Sequence, residues 1–137
     1  MSFAFRQKIL FRHCDPDGLV FYPRLVEIIN DGVEAMFAEA LEWPFEEMLQ
    51  TGGTPTVRLE LEFQAPVLHG EALELTITPV RIGRSSLELT HAARVAGAPR
   101  FHARHVLVRI GAQAPRRPEP WPEPVRARLE QMMKGQA

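Results

Sequence analysis

The sequence predicts an α+β fold in which one long central helix is wrapped by a curved, mainly antiparallel five-stranded sheet. Two observations predict it. One strand-like segment precedes a long helix with a single apolar stripe, and segments in which apolar and polar residues alternate follow that helix. A lone apolar helix must be covered by another layer, and antiparallel strands joined by short turns supply one. The chain has 137 residues, which is the size of one domain.

The first element is predicted to be a strand over residues 3–12, FAFRQKILFR, which are rich in Phe and Ile. A turn is predicted to follow at residues 15–18, DPDG. Proline fixes one backbone angle there, and Gly18 permits a positive one. The turn therefore separates the first strand from the helix that comes next.

The long helix is predicted to run from Pro23 to about Leu41. Its apolar residues recur at spacings of three and four, the mark of one apolar stripe: Leu25, Ile28, Ile29, Met36, Phe37 and Ala40. Gly32 lies in the middle, where it destabilises a helix by about 1 kcal/mol relative to Ala. We interpret Gly32 as a point of close approach to another backbone. Pro44 ends the pattern, and residues 45–49 form a further short turn of helix.

The second half of the chain is predicted to be strands. After the breaker TGGTP at residues 51–55, the apolar period changes from 3.6 to 2. Four strands are predicted, near residues 57–63, 73–77, 87–95 and 101–110. Residues 114–124 are rich in proline and are expected to be extended, and residues 125–134 are expected to form a short helix. We therefore divide the chain into a domain at 1–113 and a C-terminal extension at 114–137.

Composition limits the classes of partner and the cell compartment. The net charge is −1, so bulk charge favours no nucleic acid partner. The single cysteine, Cys14, cannot form an internal disulfide, which indicates a reducing compartment. No apolar run approaches the roughly 18 residues of a membrane span. We expect a cytoplasmic protein that binds no membrane.

The stretch DPDGLVFYP at residues 15–23 matches the D-P-x-G-x-V-x-Y-P motif of the 4-hydroxybenzoyl-CoA thioesterase family. Residues 53–55, GTP, and the basic turn RIGRSS at residues 81–86 also resemble that family, and the likeness covers roughly residues 5–110. The resemblance implies a hotdog fold and hydrolysis of an acyl-CoA thioester, aryl or short-chain, to free acid and CoA. It also implies homodimers or homotetramers built as dimers of dimers. No metal or redox cofactor is implied.

The resemblance assigns the catalytic chemistry to the turn and the helix start. Asp15 is the carboxylate that acts either as nucleophile or as general base toward water. Backbone N–H groups near Phe21 and Tyr22 polarise the thioester carbonyl, because a helix start carries unsatisfied donors. Tyr22 joins the catalytic set as a packing and positioning residue, and Gly18 permits the tight turn. Asp17 stands where the family usually has a small residue.

The remaining site residues fall into two groups. Arg81, Arg84 and Ser85 are expected to meet the phosphates of CoA, because Arg binds phosphate well. Thr54 and Asn30 are expected to serve a site shared between chains. Asn30 either contacts the acyl group or bridges at a dimer interface. Without the family motif, the arginines would be ordinary charges at the end of a hairpin.

Other interpretations remain beside this one. Asp15 and Asp17 are turn-forming residues whether or not they are catalytic. A non-catalytic hotdog protein that binds an acyl-CoA or an acyl carrier would keep the pocket and the arginines without needing Asp15. A hotdog dehydratase would need a catalytic His or helix carboxylate, for which the sequence offers no candidate. The five histidines lack metal-ligand spacing, so no metal site is expected, and Cys14 is interpreted as a small buried thiol.

Overall fold

A five-stranded antiparallel sheet packs against one long helix, which confirms the predicted α+β class. The computed structural model describes residues 1–134. The strands are β1 (Phe3–Lys8), β2 (Gly52–Gly53), β3 (Thr56–Phe63), β4 (Ala72–Ile82), β5 (Ser86–Val95), β6 (Ala98–Val108) and β7 (Ile110–Gly111). The helices are α1 (Tyr22–Glu39), α2 (Phe45–Met48) and α3 (Glu123–Lys134). The sheet order is β1-β4-β5-β6-β3, and β2 and β7 form a separate short pair.

The first strand is shorter than the sequence predicts. It ends at Lys8, and a short 3-10 helix follows at Phe11–His13. Ile9 is fully buried between these elements, and its backbone N–H donates to Glu71 O at 2.8 Å. The chain therefore leaves the sheet at Ile9 and bends toward the turn at residues 15–18.

Helix α1 is the centre of the core. Its buried side is the apolar stripe that the sequence predicts, and it faces the inward residues of β4 and β5, among them Leu75, Ile77 and Leu89. A Cβ atom at Gly32 would lie 3.0 Å from the side chains of both Leu75 and Ile77. The close approach expected at Gly32 is thus made to side chains of the sheet rather than to another backbone.

Strand β3 is an edge strand, and its burial differs from the prediction. Leu59 and Leu61 are half-buried as expected, but Val57 is 60% exposed and Phe63 is 54% exposed. The alternation holds from Leu59 to Phe63, but a β-bulge between Thr56 and Arg58 displaces Val57 and turns Thr56 to the inner face. The strand has a neighbour, β6, on one side alone within the described chain, so its ends remain uncovered.

The C-terminal segment packs onto the sheet. Trp121, Val125 and Leu129 are buried and belong to the same apolar cluster as the residues of α1. The Trp121 indole N–H donates to Ser86 O at 3.0 Å. The helix predicted for residues 125–134 is confirmed as α3, and the proposed boundary after residue 113 stays a prediction.

Candidate active site

The turn before α1 holds the Asp15 carboxylate in one orientation. Gly18 adopts a φ of 81° and donates its N–H to Asp15 O at 3.0 Å, which closes the turn. Asp15 Oδ1 accepts the backbone N–H groups of Asp17 at 3.0 Å and of Leu19 at 3.3 Å. No group among residues 1–134 donates to Asp15 Oδ2. One carboxylate oxygen is therefore anchored, and the other is free to act. The Asp17 side chain is exposed.

The start of α1 offers one unengaged donor beside this turn. Phe21 donates its N–H to His13 O at 3.0 Å, so that group is already used. Pro23 has no N–H, and Arg24 donates back to Phe21 O at 2.8 Å. The Tyr22 N–H has no acceptor in the described part of the chain. Because the first donors of a helix are the positive end of its dipole, this N–H suits a developing negative charge.

An apolar groove lies between the start of α1 and the end of β3. Its volume is about 420 Å³. The Tyr22 and Phe63 rings form its mouth, with centroids 6.5 Å apart in an edge-to-face arrangement. The lining residues are Leu19, Val20, Tyr22, Leu25, Phe63, Gln64, Ala65, Pro66 and Val67. Met36 and Phe37 of the apolar stripe are fully buried in the core and do not line this groove.

An ion pair fixes the far wall of this groove. The Arg100 guanidinium donates to both carboxylate oxygens of Glu71, at 2.6 and 2.9 Å, and to Pro66 O at 2.7 Å. Glu71 also accepts the Leu68 N–H at 2.6 Å. The hydrogen bond from Arg100 lowers the pKa of Glu71. The wall segment is thereby tied to β6, and nothing in the sequence pattern pointed to this pair.

The predicted CoA-binding residues lie at the other end of the sheet. The Asp15 turn adjoins the start of β4, because His69 donates its N–H to Gly18 O at 2.9 Å. Arg81, Arg84 and Ser85 lie at the far end of β4 and in the turn that follows it. Strand β4 has 11 residues, which at about 3.3 Å each span roughly 35 Å. A single chain therefore does not bring Asp15 and these arginines together.

The arginine turn itself is well supported. Trp121 donates its N–H to Arg84 O at 3.2 Å, and Arg109 donates its N–H to Ser85 O at 2.7 Å. The Arg126 guanidinium donates to Gly83 O at 2.5 Å. Arg81 and Arg84 are exposed, and neither forms an ion pair with a carboxylate of residues 1–134. Two free cations on a supported turn are compatible with phosphate binding.

Thr54 and Asn30 also lie away from Asp15. Thr54 is half-buried just before β3, at the arginine end of the sheet. Asn30 is exposed on α1, eight residues after Tyr22 and about 80° around the helix from it. Neither residue hydrogen-bonds to the Asp15 turn within residues 1–134.

The surroundings of Cys14 do not activate its thiol as a nucleophile. Burial, and to a lesser degree the Asp15 charge, raises the pKa of its thiol. Its Sγ atom lies 3.5 Å from Leu10 O. A raised pKa keeps the thiol protonated at neutral pH, and a protonated thiol is a poor nucleophile. Within residues 1–134 no three His, Cys, Asp or Glu side chains are grouped to hold a metal ion.

A chain of three hydrogen-bonded polar side chains was not predicted from the sequence. His91 Nε2 lies 3.0 Å from His105 Nδ1, and His105 Nε2 lies 2.7 Å from Thr56 Oγ1. His91 alternates with Leu87 and Leu89 on the inward face of β5, so its burial was visible in the sequence. Its pairing with a histidine of β6 depends on register, which the sequence does not specify.

Comparison with known proteins identifies the family. The sequence model of the thioesterase-like superfamily matches residues 9–129. The chain belongs to the thioesterase-like superfamily. A 1,4-dihydroxy-2-naphthoyl-CoA hydrolase of Synechococcus elongatus is 26% identical over 93 residues, which are 66% of this chain and 68% of that protein. The predicted family and the thioester hydrolase class are confirmed at this level.

Solved structures agree with the fold. A 1,4-dihydroxy-2-naphthoyl-CoA thioesterase from Synechocystis superposes with a TM-score of 0.87 at 15% identity, over 96% of this chain and 98% of that one. A variant of 4-hydroxybenzoyl-CoA thioesterase in complex with 4-hydroxybenzoyl-CoA gives a TM-score of 0.85 at 20% identity, over 93% and 98%. The predicted hotdog fold is confirmed. No helix within residues 1–134 is both long and apolar enough to cross a membrane.

Proposed function

We propose that this superfamily member hydrolyses an aryl- or short-chain acyl-CoA to the free acid and CoA, with Asp15 as its catalytic carboxylate. One observation carries the proposal. The Asp15 carboxylate has one free oxygen and is bonded through the other to Leu19, and an unengaged helix N–H belongs to Tyr22; Leu19 and Tyr22 both line an apolar groove. A carbonyl carbon between such a donor and such an oxygen has what acyl transfer requires.

The steps follow from these groups. The acyl chain enters the groove, and the thioester carbonyl oxygen accepts the hydrogen bond from the Tyr22 N–H. Asp15 Oδ2 then either attacks the carbonyl carbon or takes a proton from the water that does. The tetrahedral oxyanion is stabilised by the helix start, and the C–S bond breaks to release the CoA thiolate. Where Asp15 acts as base, the thiolate receives the proton that Asp15 took from water, and the acyl group leaves as the free acid. Where Asp15 attacks, water then cleaves the acyl–Asp15 anhydride to the free acid, which restores the carboxylate and supplies the proton of the thiol. No metal or redox cofactor takes part.

The assembled enzyme is a homodimer, or a homotetramer made of two such dimers. Strand β3 presents an unpaired edge with exposed Val57 and Phe63, and such an edge invites pairing. Two copies related by a two-fold axis would pair their β3 strands antiparallel. The arginine turn and Thr54 of one copy then lie at the Asp15 end of the other. The site is cytoplasmic, in keeping with the single thiol.

The test compares Asp15→Asn with Asp17→Asn over a panel of aryl- and aliphatic acyl-CoAs. Asp15→Asn should lose 100-fold or more in kcat, about 2.7 kcal/mol of barrier. Asp17→Asn is the matched control in the same turn and should keep its activity, because Asp17 is exposed. If Asp15→Asn hydrolyses every thioester as well as the native chain does, the proposal is wrong. A native chain that binds the acyl-CoAs but hydrolyses none of them would instead be a protein that only binds acyl-CoA.

A further inference from the structure

A line of hydrogen-bonded side chains runs from the core to the open edge of the sheet. His91 is 1% exposed and His105 is 3% exposed, whereas Thr56, the first residue of β3, is exposed. The three are joined by contacts of 3.0 Å and 2.7 Å. Polar groups inside a core destabilise it unless they are satisfied, and here the line ends at a hydroxyl on the surface.

The protons on this line can be assigned from burial. Burial lowers the pKa of His91 to about 3 and that of His105 to about 4, so both rings are neutral at pH 7. Each neutral ring carries one N–H. His91 Nδ1 is buried with no partner among the described residues, and a bare acceptor there is less unfavourable than an orphaned N–H. The proton of His91 is therefore on Nε2.

This assignment sets the direction of the remaining bonds. His91 Nε2 donates to His105 Nδ1, so the proton of His105 is on Nε2 and donates to Thr56 Oγ1. The Thr56 oxygen is then an acceptor toward the core, and its own proton is turned away from it. The two buried histidines thus orient the Thr56 hydroxyl so that its proton points away from the core, at the edge of the sheet.

The donor lies on the inner face of the sheet. Thr56 pairs with Leu107, whose side chain is buried, and directly paired residues share a face. If two β3 strands pair about a two-fold axis, the first residue of one strand meets the last residue of the other. Thr56 would then lie beside Phe63 of the second copy, at the mouth of its apolar groove.

We propose that the Thr56 hydroxyl reaches into the groove of the second copy and donates to the thioester oxygen, with His105 and His91 as positioning residues. This rests on the proposed thioesterase function and deepens it. Each site of the dimer would then take Asp15 and the Tyr22 N–H from one chain and Thr56 from the other. The two donors together would hold the oxyanion of the tetrahedral intermediate.

The first test measures kcat and KM separately. Thr56→Val should lower kcat about 10- to 100-fold with KM little changed, since the lost donor acts on developing charge. Thr56→Ser keeps the hydroxyl and should restore most of the rate. His105→Leu should lower kcat in the native chain and add nothing in the Thr56→Val background, because it acts through that hydroxyl. Equal rates for Thr56→Val and the native chain would overturn the proposal.

The second test asks whether Thr56 acts on the partner's site. Asp15→Asn and Thr56→Val chains with different tags are co-expressed, and the mixed dimers are purified. One of their two sites would be intact, so they should show about half the native rate per dimer. If both residues act within one chain, no intact site exists and the rate stays near the mean of the two defective homodimers, which contradicts the proposal. If Asp15→Asn itself is fully active, the thioesterase proposal fails and this inference with it.

Discussion

Acid should unfold this protein largely through His91 and His105, two of its three buried histidines. The folded-state pKa values of His91 and His105 are lowered, mainly by burial, to about 3 and about 4 from an ordinary value of 6.5. The unfolded chain therefore binds protons at a higher pH than the folded chain does. The stability from keeping both rings neutral is complete above pH 6.5, and it is lost as the pH falls toward 4 and 3.

The expected loss of folding stability in acid is large for a domain of this size. Each pKa unit corresponds to about 1.4 kcal/mol, and pH 4 lies about 2.5 units below the pKa that each ring has in the unfolded chain. Allowing for coupling between adjacent rings, the two together should reduce the free energy of unfolding by about 5 kcal/mol between pH 7 and pH 4. Total stabilities are about 5–15 kcal/mol, so the protein should approach unfolding at pH 4.

The assay is urea unfolding followed by circular dichroism at pH 7, 6, 5 and 4. The double variant His91→Leu/His105→Leu should show a much flatter dependence on pH, whatever its stability at pH 7. His102→Gln is the matched control, since His102 is exposed on β6 and pairs with Glu62 on the outer face. If the double variant loses stability with acid as steeply as the native chain does, the reasoning about the buried pair is refuted.

Two further predictions concern the ends of the substrate site. Arg100→Gln breaks the pair with Glu71 and the bond to Pro66, so it should lower the free energy of unfolding by about 1–3 kcal/mol and raise KM for acyl-CoA. Unchanged urea midpoint and KM would contradict the role of this pair as a groove wall. Arg84→Ala should raise KM for acyl-CoA about tenfold and leave kcat unchanged, if Arg84 binds the CoA phosphates as predicted. The matching pantetheine thioester, which lacks the nucleotide phosphates, should be unaffected, and an equal effect on both substrates would exclude phosphate binding.

The fold was predictable because its signals are local. The stripe of α1 and the alternation of the later strands each report one buried face, and that is enough to infer a helix covered by a sheet. Alternation says nothing about how many neighbours a strand has. The edge position of β3, and hence the exposure of Val57 and Phe63, follows from the strand order instead.

The site was predictable only where it is contiguous in sequence. The turn at residues 15–18 and the helix start follow one another along the chain, so a short motif describes both. The pairing of Glu71 with Arg100, and of His91 with His105, depends on register between distant strands. The engagement of the Phe21 N–H by His13 likewise needed coordinates, and it leaves Tyr22 as the donor at the helix start.

In the proposed dimer, the separation of the two ends of the sheet would make self-association part of the chemistry. Asp15 and the groove lie at one end of β4, and Arg84 lies at the other, roughly 35 Å away along the strand. A two-fold axis at β3 would reverse one copy against the other, so the complementary ends would become neighbours without any change of fold. The exposed edge at Val57 and Phe63 would destabilise an isolated chain in water, but it is the surface that such pairing covers. The same reversal would carry Thr56 to the groove of the second copy. Pairing at the open edge of β3 would thus bring the arginine turn, Thr54 and Thr56 to the Asp15 end of the partner.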